Sequence, residues 1–121
     1  MTTYNWGIIG TGWIAGEMAQ TLTDEKGEIY GVTTRRPEEL EQFAKQYPVK
    51  HQFASVADLL ADEAVDIVYV ATPHHLHAKL ISQALEAGKH VVSEKAITIN
   101  SDEFTSLAAL ARQKNLILME A

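Results

Sequence analysis

Short apolar runs separated by longer stretches of helical period are the feature that most narrows what this chain can become. A strand buried on both faces reads as a near-continuous apolar run, and a helix laid against it reads as a stripe repeating every three to four residues. The runs fall at Asn5 to Ile9, Glu28 to Thr33, Lys50 to Phe53, Ile67 to Ala71, His90 to Ser93 and Leu116 to Glu120. Between them Ile14, Met18 and Leu22 recur at helical spacing, as do Leu40, Phe43, Ala44 and Tyr47, then Leu76, Leu80, Ala84 and Leu85, then Phe104, Leu107, Ala108 and Ala111. Each stripe is expected to face the sheet. The alternation predicts an α/β fold: a doubly wound parallel sheet in a three-layer α/β/α arrangement, forming one domain over residues 1–121.

Punctuation supports the assignment. Pro37 suits a first helical position, Ser55 with Asp58 and Asn100 with Glu103 resemble capping boxes, and Gly88 reads as a helix stop. With 121 residues there is material for one core, and no repeat or linker divides it. Leu116 to Met119 reads as a buried strand and the sequence ends at Ala121, just where a crossover to further structure would begin, so a truncated enzyme is expected. Sixteen acidic against ten basic residues, a net charge of -6, disfavour a nucleic-acid partner. The absence of cysteine removes disulfides and thiolate chemistry, and fits a cytoplasmic location. Met1 to Trp6 carries no basic stretch followed by an apolar one, and no apolar run is long enough for a bilayer, so no membrane partner is expected.

The sharpest local signal is Gly10-Thr11-Gly12-Trp13-Ile14-Ala15, directly after the first apolar run and opening the first helical stripe. In that context Gly10 permits a tight turn, Gly12 lets the backbone approach a pyrophosphate, and Ala15 allows close packing of helix on strand. Main-chain N–H groups of Thr11, Gly12, Trp13 and Ile14 then face phosphates at a helix start. A purely structural turn is the competing reading; the placement within a strand–turn–helix unit favours a Rossmann dinucleotide site.

The second strand's end discriminates between riboses in such folds, where a carboxylate would accept from a 2'-hydroxyl. Here Thr33-Thr34-Arg35-Arg36 stands instead. A hydroxyl and a guanidinium can donate to a 2'-phosphate, which favours NADP(H) over NAD(H), with Thr34 and Arg35 as the contacts. Arg35 could equally stack on adenine with either cofactor, and Arg36 reads as a solvated surface charge.

The fourth run ends in Ala71-Thr72-Pro73-His74-His75-Leu76-His77. Three close histidines suggest a metal, yet no companion carboxylates or thiolates accompany them, and no metal is expected. Thr72, Pro73 and His74 are placed at the nicotinamide ribose, His77 at the pocket or as a helix cap, and His75 at the surface. The fifth run ends in Ser93-Glu94-Lys95-Ala96. A lysine held at a strand end beside a nicotinamide can hydrogen-bond a substrate oxygen and stabilise charge developing there, so Lys95 is the candidate catalytic residue. Glu94 holds Lys95 or contacts the cofactor ribose.

Taken together, the Gly10 to Ala15 loop, Ala71-Thr72-Pro73 with His77, the stretch Ala84 to Val92 and Glu94-Lys95 resemble the glucose-fructose oxidoreductase and inositol dehydrogenase (Gfo/Idh/MocA) family. The resemblance implies a nucleotide domain followed by an open-sheet substrate domain, Lys95 as the family's catalytic lysine, and Gly10, Gly12, Pro73 and Glu94 at cofactor-contacting positions. Many relatives have proline after Glu-Lys where this chain has Ala96. A cis bond there would cost about 2.5–4 kcal/mol without the proline ring, so a trans Lys95–Ala96 peptide is expected. Ala96 and Met119-Glu120-Ala121 resemble the dihydrodiol and sugar dehydrogenase subgroup.

The expected activity of the intact enzyme is hydride transfer between NADP(H), or NAD(H), and a hydroxyl or carbonyl carbon of a sugar-like or cyclic polyol substrate. This chain alone is expected to bind cofactor without turnover, and the full-length protein to be a homo-oligomer. Two rivals stand beside this reading. A non-catalytic redox-sensing or regulatory module would use the same glycine loop, but leaves Lys95 unexplained. An S-adenosylmethionine-binding domain would want a carboxylate where Thr34 and Arg35 lie.

Overall fold

The computed structural model describes residues 4–10, 16, 18, 20–21, 28–34, 36–47, 49–71, 77–94 and 101–120. Six strands form one parallel sheet: β1 (Asn5–Ile9), β2 (Glu28–Thr33), β3 (Val49–Gln52), β4 (Ile67–Val70), β5 (His90–Ser93) and β6 (Leu118–Glu120), in the order β3-β2-β1-β4-β5-β6. The helices are α1 (Pro37–Gln46), α2 (Val56–Ala61), α3 (His77–Glu86) and α4 (Ser101–Gln113), and residues 16, 18, 20 and 21 between β1 and β2 are also helical.

Two apolar clusters, one on each sheet face, give the three layers. On one face Ile8, Ile29, Val32 and Tyr69 pack with Leu40 and Phe43 of α1 and with Met18. On the other, Ile9, Val68, Val70 and Val91 pack with Leu59 of α2, with Leu80, Ile81, Ala84 and Leu85 of α3, and with Leu107 and Ala111 of α4. Ile81 and Leu85 are fully enclosed, each contributing roughly 1.5–3 kcal/mol by leaving water. Pro37 opens α1, and Ser55 caps α2 by accepting the Asp58 N–H at 3.1 Å, as the sequence predicts. Asn100 lies outside the described residues.

Several boundaries shift. β3 begins one residue early and ends before Phe53, β4 ends before Ala71, and β6 starts at Leu118 rather than Leu116. The expected helical stripe ending at Tyr47 stops at Gln46. Phe104 is not on the buried side of α4: it is exposed, while Leu107 and Ala111 face the sheet. β6 is not a buried strand in this chain. It pairs with β5 at the sheet margin, where Ile117 and Met119 are more than half exposed.

Candidate dinucleotide site at the carboxyl edge

The strand ends line up. Ile9 stands opposite Thr33 of β2 and Val70 of β4, and Val70 stands opposite Ser93 of β5. The residues that follow, Thr34, Gly10, Ala71 and Glu94, therefore leave the sheet side by side at one edge. At about 4.8 Å between strands, this row extends three spacings, roughly 14 Å. Main-chain bonds fix it: Gly10 N–H donates to Thr33 O at 2.8 Å, Ala71 N–H to Ile9 O at 2.9 Å, and Glu94 N–H to Val70 O at 3.1 Å.

The strand order makes this edge a topological switch point. From β1 the chain turns toward β2, and from β4 toward β5, so the two connections diverge between Gly10 and Ala71. Such a switch point is where doubly wound sheets hold ligands. Gly10 is buried there with φ 110°, a conformation that side chains disfavour. The reversal needed for a chain leaving β1 to start a helix is thus built into a residue without a β-carbon.

Of the residues expected at the site, Gly10, Thr34 and Glu94 share this edge, with Thr34 and Glu94 partly exposed. His77 opens α3, following the fourth strand as expected; its side chain lies outside the described parts. Thr11, Gly12, Trp13, Ile14, Arg35, Thr72, Pro73, His74 and Lys95 lie outside the described residues, as does the Lys95–Ala96 peptide. Arg36 fits a surface role: it lies at the start of α1 and pairs with Glu39 at 3.4 Å in the open. Ser93 is fully buried under the edge and donates to the Glu94 carbonyl at 3.2 Å, a support for that turn which sequence reasoning missed.

A second polar group also escaped the sequence reading. The Tyr30 hydroxyl donates to Asp62 Oδ2 at 2.9 Å, Asp62 Oδ1 accepts the Ala64 N–H at 2.9 Å, and Lys89 Nζ donates to the Asp62 carbonyl at 2.8 Å. The Ala64 N–H holds the Asp62 carboxyl below its ordinary range, against partial burial, with further help from the Tyr30 hydroxyl and the charges of His51 and Lys89. Donating to Asp62 raises the Tyr30 phenol above its ordinary value, as do burial and the carboxylate charge. Gly31, inside a strand pattern, was the available signal, because glycine there marks a bulge or a close approach. Among the described residues, no group of three histidine or carboxylate side chains is arranged to hold a metal. No helix among them is long and apolar enough to cross a membrane.

Comparison with known proteins agrees with this layout. The chain is 39% identical to D-xylose 1-dehydrogenase (NADP(+)) of Hypocrea jecorina, covering 98% of this chain and 34% of that protein. It is 31% identical to trans-1,2-dihydrobenzene-1,2-diol dehydrogenase of Mus musculus, covering 96% and 36%. The crystal structure of KijD10, a 3-ketoreductase from Actinomadura kijaniata in complex with NADP and TDP-benzene, superposes with a TM-score of 0.91 at 35% identity, covering 98% of this chain and 37% of that one. The chain thus spans about a third of the length of these relatives. Residues 4–121 match the GFO_IDH_MocA oxidoreductase family with its NAD-binding Rossmann fold; with sheet order, switch point and sequence in agreement, the chain belongs to that family.

Proposed function

We propose that this chain is the nucleotide-binding domain of an oxidoreductase that uses NADP(H) in preference to NAD(H) and acts on a hydroxyl or carbonyl carbon of a sugar-like or cyclic polyol substrate. The observation that carries it is the row Thr34, Gly10, Ala71 and Glu94 along the sheet edge where the chain connections diverge. An extended dinucleotide laid along that row would have its diphosphate at Gly10 to Ile14, its adenosine end at Thr34 and Arg35, and its nicotinamide end toward Thr72, Pro73, His74, His77 and Glu94. The bound cofactor would supply the exchangeable hydride. Lys95, one residue beyond Glu94, would hold the substrate oxygen by hydrogen bond and stabilise negative charge on it. The substrate itself would be enclosed by a carboxyl-terminal domain beyond this chain, in a cytoplasmic homo-oligomer. That the chain spans a third of the length of relatives named as dehydrogenases and a ketoreductase supports this division of labour.

Titration with NADPH and NADH, followed by nicotinamide fluorescence, tests the binding reading. Saturable binding, tighter for NADPH, is expected; indifference to both would overturn it. In a full-length protein, Lys95→Met should lower kcat by at least about a hundredfold, the scale of one lost electrostatic donor, while changing cofactor affinity little. Equal loss of both would remove Lys95 from its assigned role.

A further inference from the structure

β6 is joined to β5 at its leading end by a side chain as well as by the backbone. Val91 N–H donates to Ile117 O at 2.9 Å in the ordinary way of a parallel ladder, whereas Ile117 N–H donates to Nδ1 of the His90 ring at 3.0 Å. A parallel ladder normally draws its acceptors from carbonyls. Here an imidazole stands in for one of them, and both main-chain polar groups of Ile117 are bound to β5.

That bond fixes the state of the ring. An imidazole nitrogen that accepts carries no hydrogen, so His90 is the neutral tautomer with its hydrogen on Nε2. Protonation places a hydrogen on each nitrogen, and Nδ1 then turns a donor toward the N–H that it had been accepting. Ile117 is more than half exposed, so water takes up its freed N–H and the cost is that of one net hydrogen bond rather than of a buried orphan. The consequence is fraying at the start of β6, not unfolding.

The surroundings leave this bond as the ring's main polar tie. Val91 faces the apolar cluster beneath α3 and α4, so by alternation His90 shares the other side of the sheet with Val92. Its register partner on β4 is Ile67, beyond which lies Trp6 of β1, and Ile117 stands on its other flank. All three are uncharged. The charged groups of the adjoining segments are engaged elsewhere: Asp66 Oδ2 accepts Asn5 N–H at 2.8 Å, the Lys89 ammonium is bound to the Asp62 carbonyl at 2.8 Å, and Lys114 pairs with Glu86 at 3.9 Å. Glu94 follows the far end of β5.

We infer that His90 is a proton-sensitive latch on β6: neutral, it holds the strand's leading end against β5, and charged, it lets that end go. Histidine ordinarily changes charge between about pH 5 and pH 8, a range over which main-chain bonds do not titrate. NMR of the intact chain across that range tests the latch. At the alkaline end, long-range proton–nitrogen correlations should show Nδ1 of His90 without hydrogen. On acidification the exchange protection of the Ile117 amide, corrected for its intrinsic rate, should fall roughly tenfold, the scale of one hydrogen bond, in step with the charging of the ring. His90→Asn, whose amide oxygen can take the place of Nδ1 and does not titrate, should keep the protection and lose its pH dependence. His90→Phe should lose protection at every pH; should that variant not fold, His90→Asn and the wild type carry the test. A hydrogen found on Nδ1 at the alkaline end, or Ile117 protection that stays level while the ring charges, would overturn the inference. So would an equal loss at the Ile8 and Val68 amides, which would mark general acid unfolding in place of a local release.

Discussion

A single hydroxyl–carboxylate pair ties the stability of this domain to pH at both ends of the scale. The Asp62 carboxyl is depressed in the folded chain, so its contribution is present above the unfolded value of about 3.9 and is lost as pH falls through the folded value. Tyr30 is raised, so its contribution is present below the unfolded value of about 10 and is lost as pH rises through the folded one. Urea midpoints measured from acid to alkaline pH should therefore fall at both extremes. Asp62→Asn should flatten the acid limb, and an unchanged acid limb would mean that Asp62 contributes nothing there. Gly10 was legible in the sequence because a turn glycine announces itself through its immediate neighbours. Tyr30 and Asp62 were not, since they are 32 residues apart and meet only once β2 has paired with β1 with a register shift between Trp6 and Gly7, where the partner passes from Ile29 to Gly31.

Two helices end in the same way, and only one ending was read from the sequence. After α3, Gly88 adopts φ 82°, with Gly88 N–H bonded to Leu85 O and Lys89 N–H to Ala84 O. After α4, Asn115 adopts φ 58°, with Asn115 N–H bonded to Arg112 O and Leu116 N–H to Ala111 O. Both are Schellman closures, which satisfy the last carbonyls of a helix through a left-handed residue. A β-carbon at Gly88 would meet nothing within 4 Å, so Gly88→Ala should destabilise by about 1–2 kcal/mol through backbone conformation alone. Asn115→Gly should instead stabilise slightly, by a few tenths of a kcal/mol. Opposite signs in urea denaturation check the pair; a neutral Gly88→Ala would contradict it. Central strands were read nearly to the residue because burial on both faces leaves an unbroken apolar run. The margins were read less well: β3 carries Lys50, His51 and Gln52 outward, β6 has Met119 exposed and only Leu118 packed on the core, and α2 is too short to show a stripe.

At the scale of the whole molecule, the fold class followed from the alternation of runs and stripes, but the site was legible only as positions in a row, since its loops take their geometry from side-by-side strand ends. A dinucleotide lying across Gly10 and Ala71 would join the two halves of the sheet. Saturating NADPH at a hundred times its dissociation constant should then stabilise the fold by about 2.7 kcal/mol, raising the melting temperature by roughly 10 °C. No shift at that occupancy would contradict binding to the folded state. Exposed Ile117 and Met119 at the sheet margin are an apolar strip on which the isolated chain should self-associate as its concentration rises. Light scattering should show that association, and its loss in Ile117→Thr with Met119→Thr; persistence in the double variant would place the contact elsewhere. Lys89, finally, is only 6% exposed and has its ammonium bonded to a carbonyl. An acylating reagent that modifies the surface lysines within seconds should therefore leave this amine untouched until the domain opens, which makes its labelling rate a built-in clock for unfolding that needs no added probe.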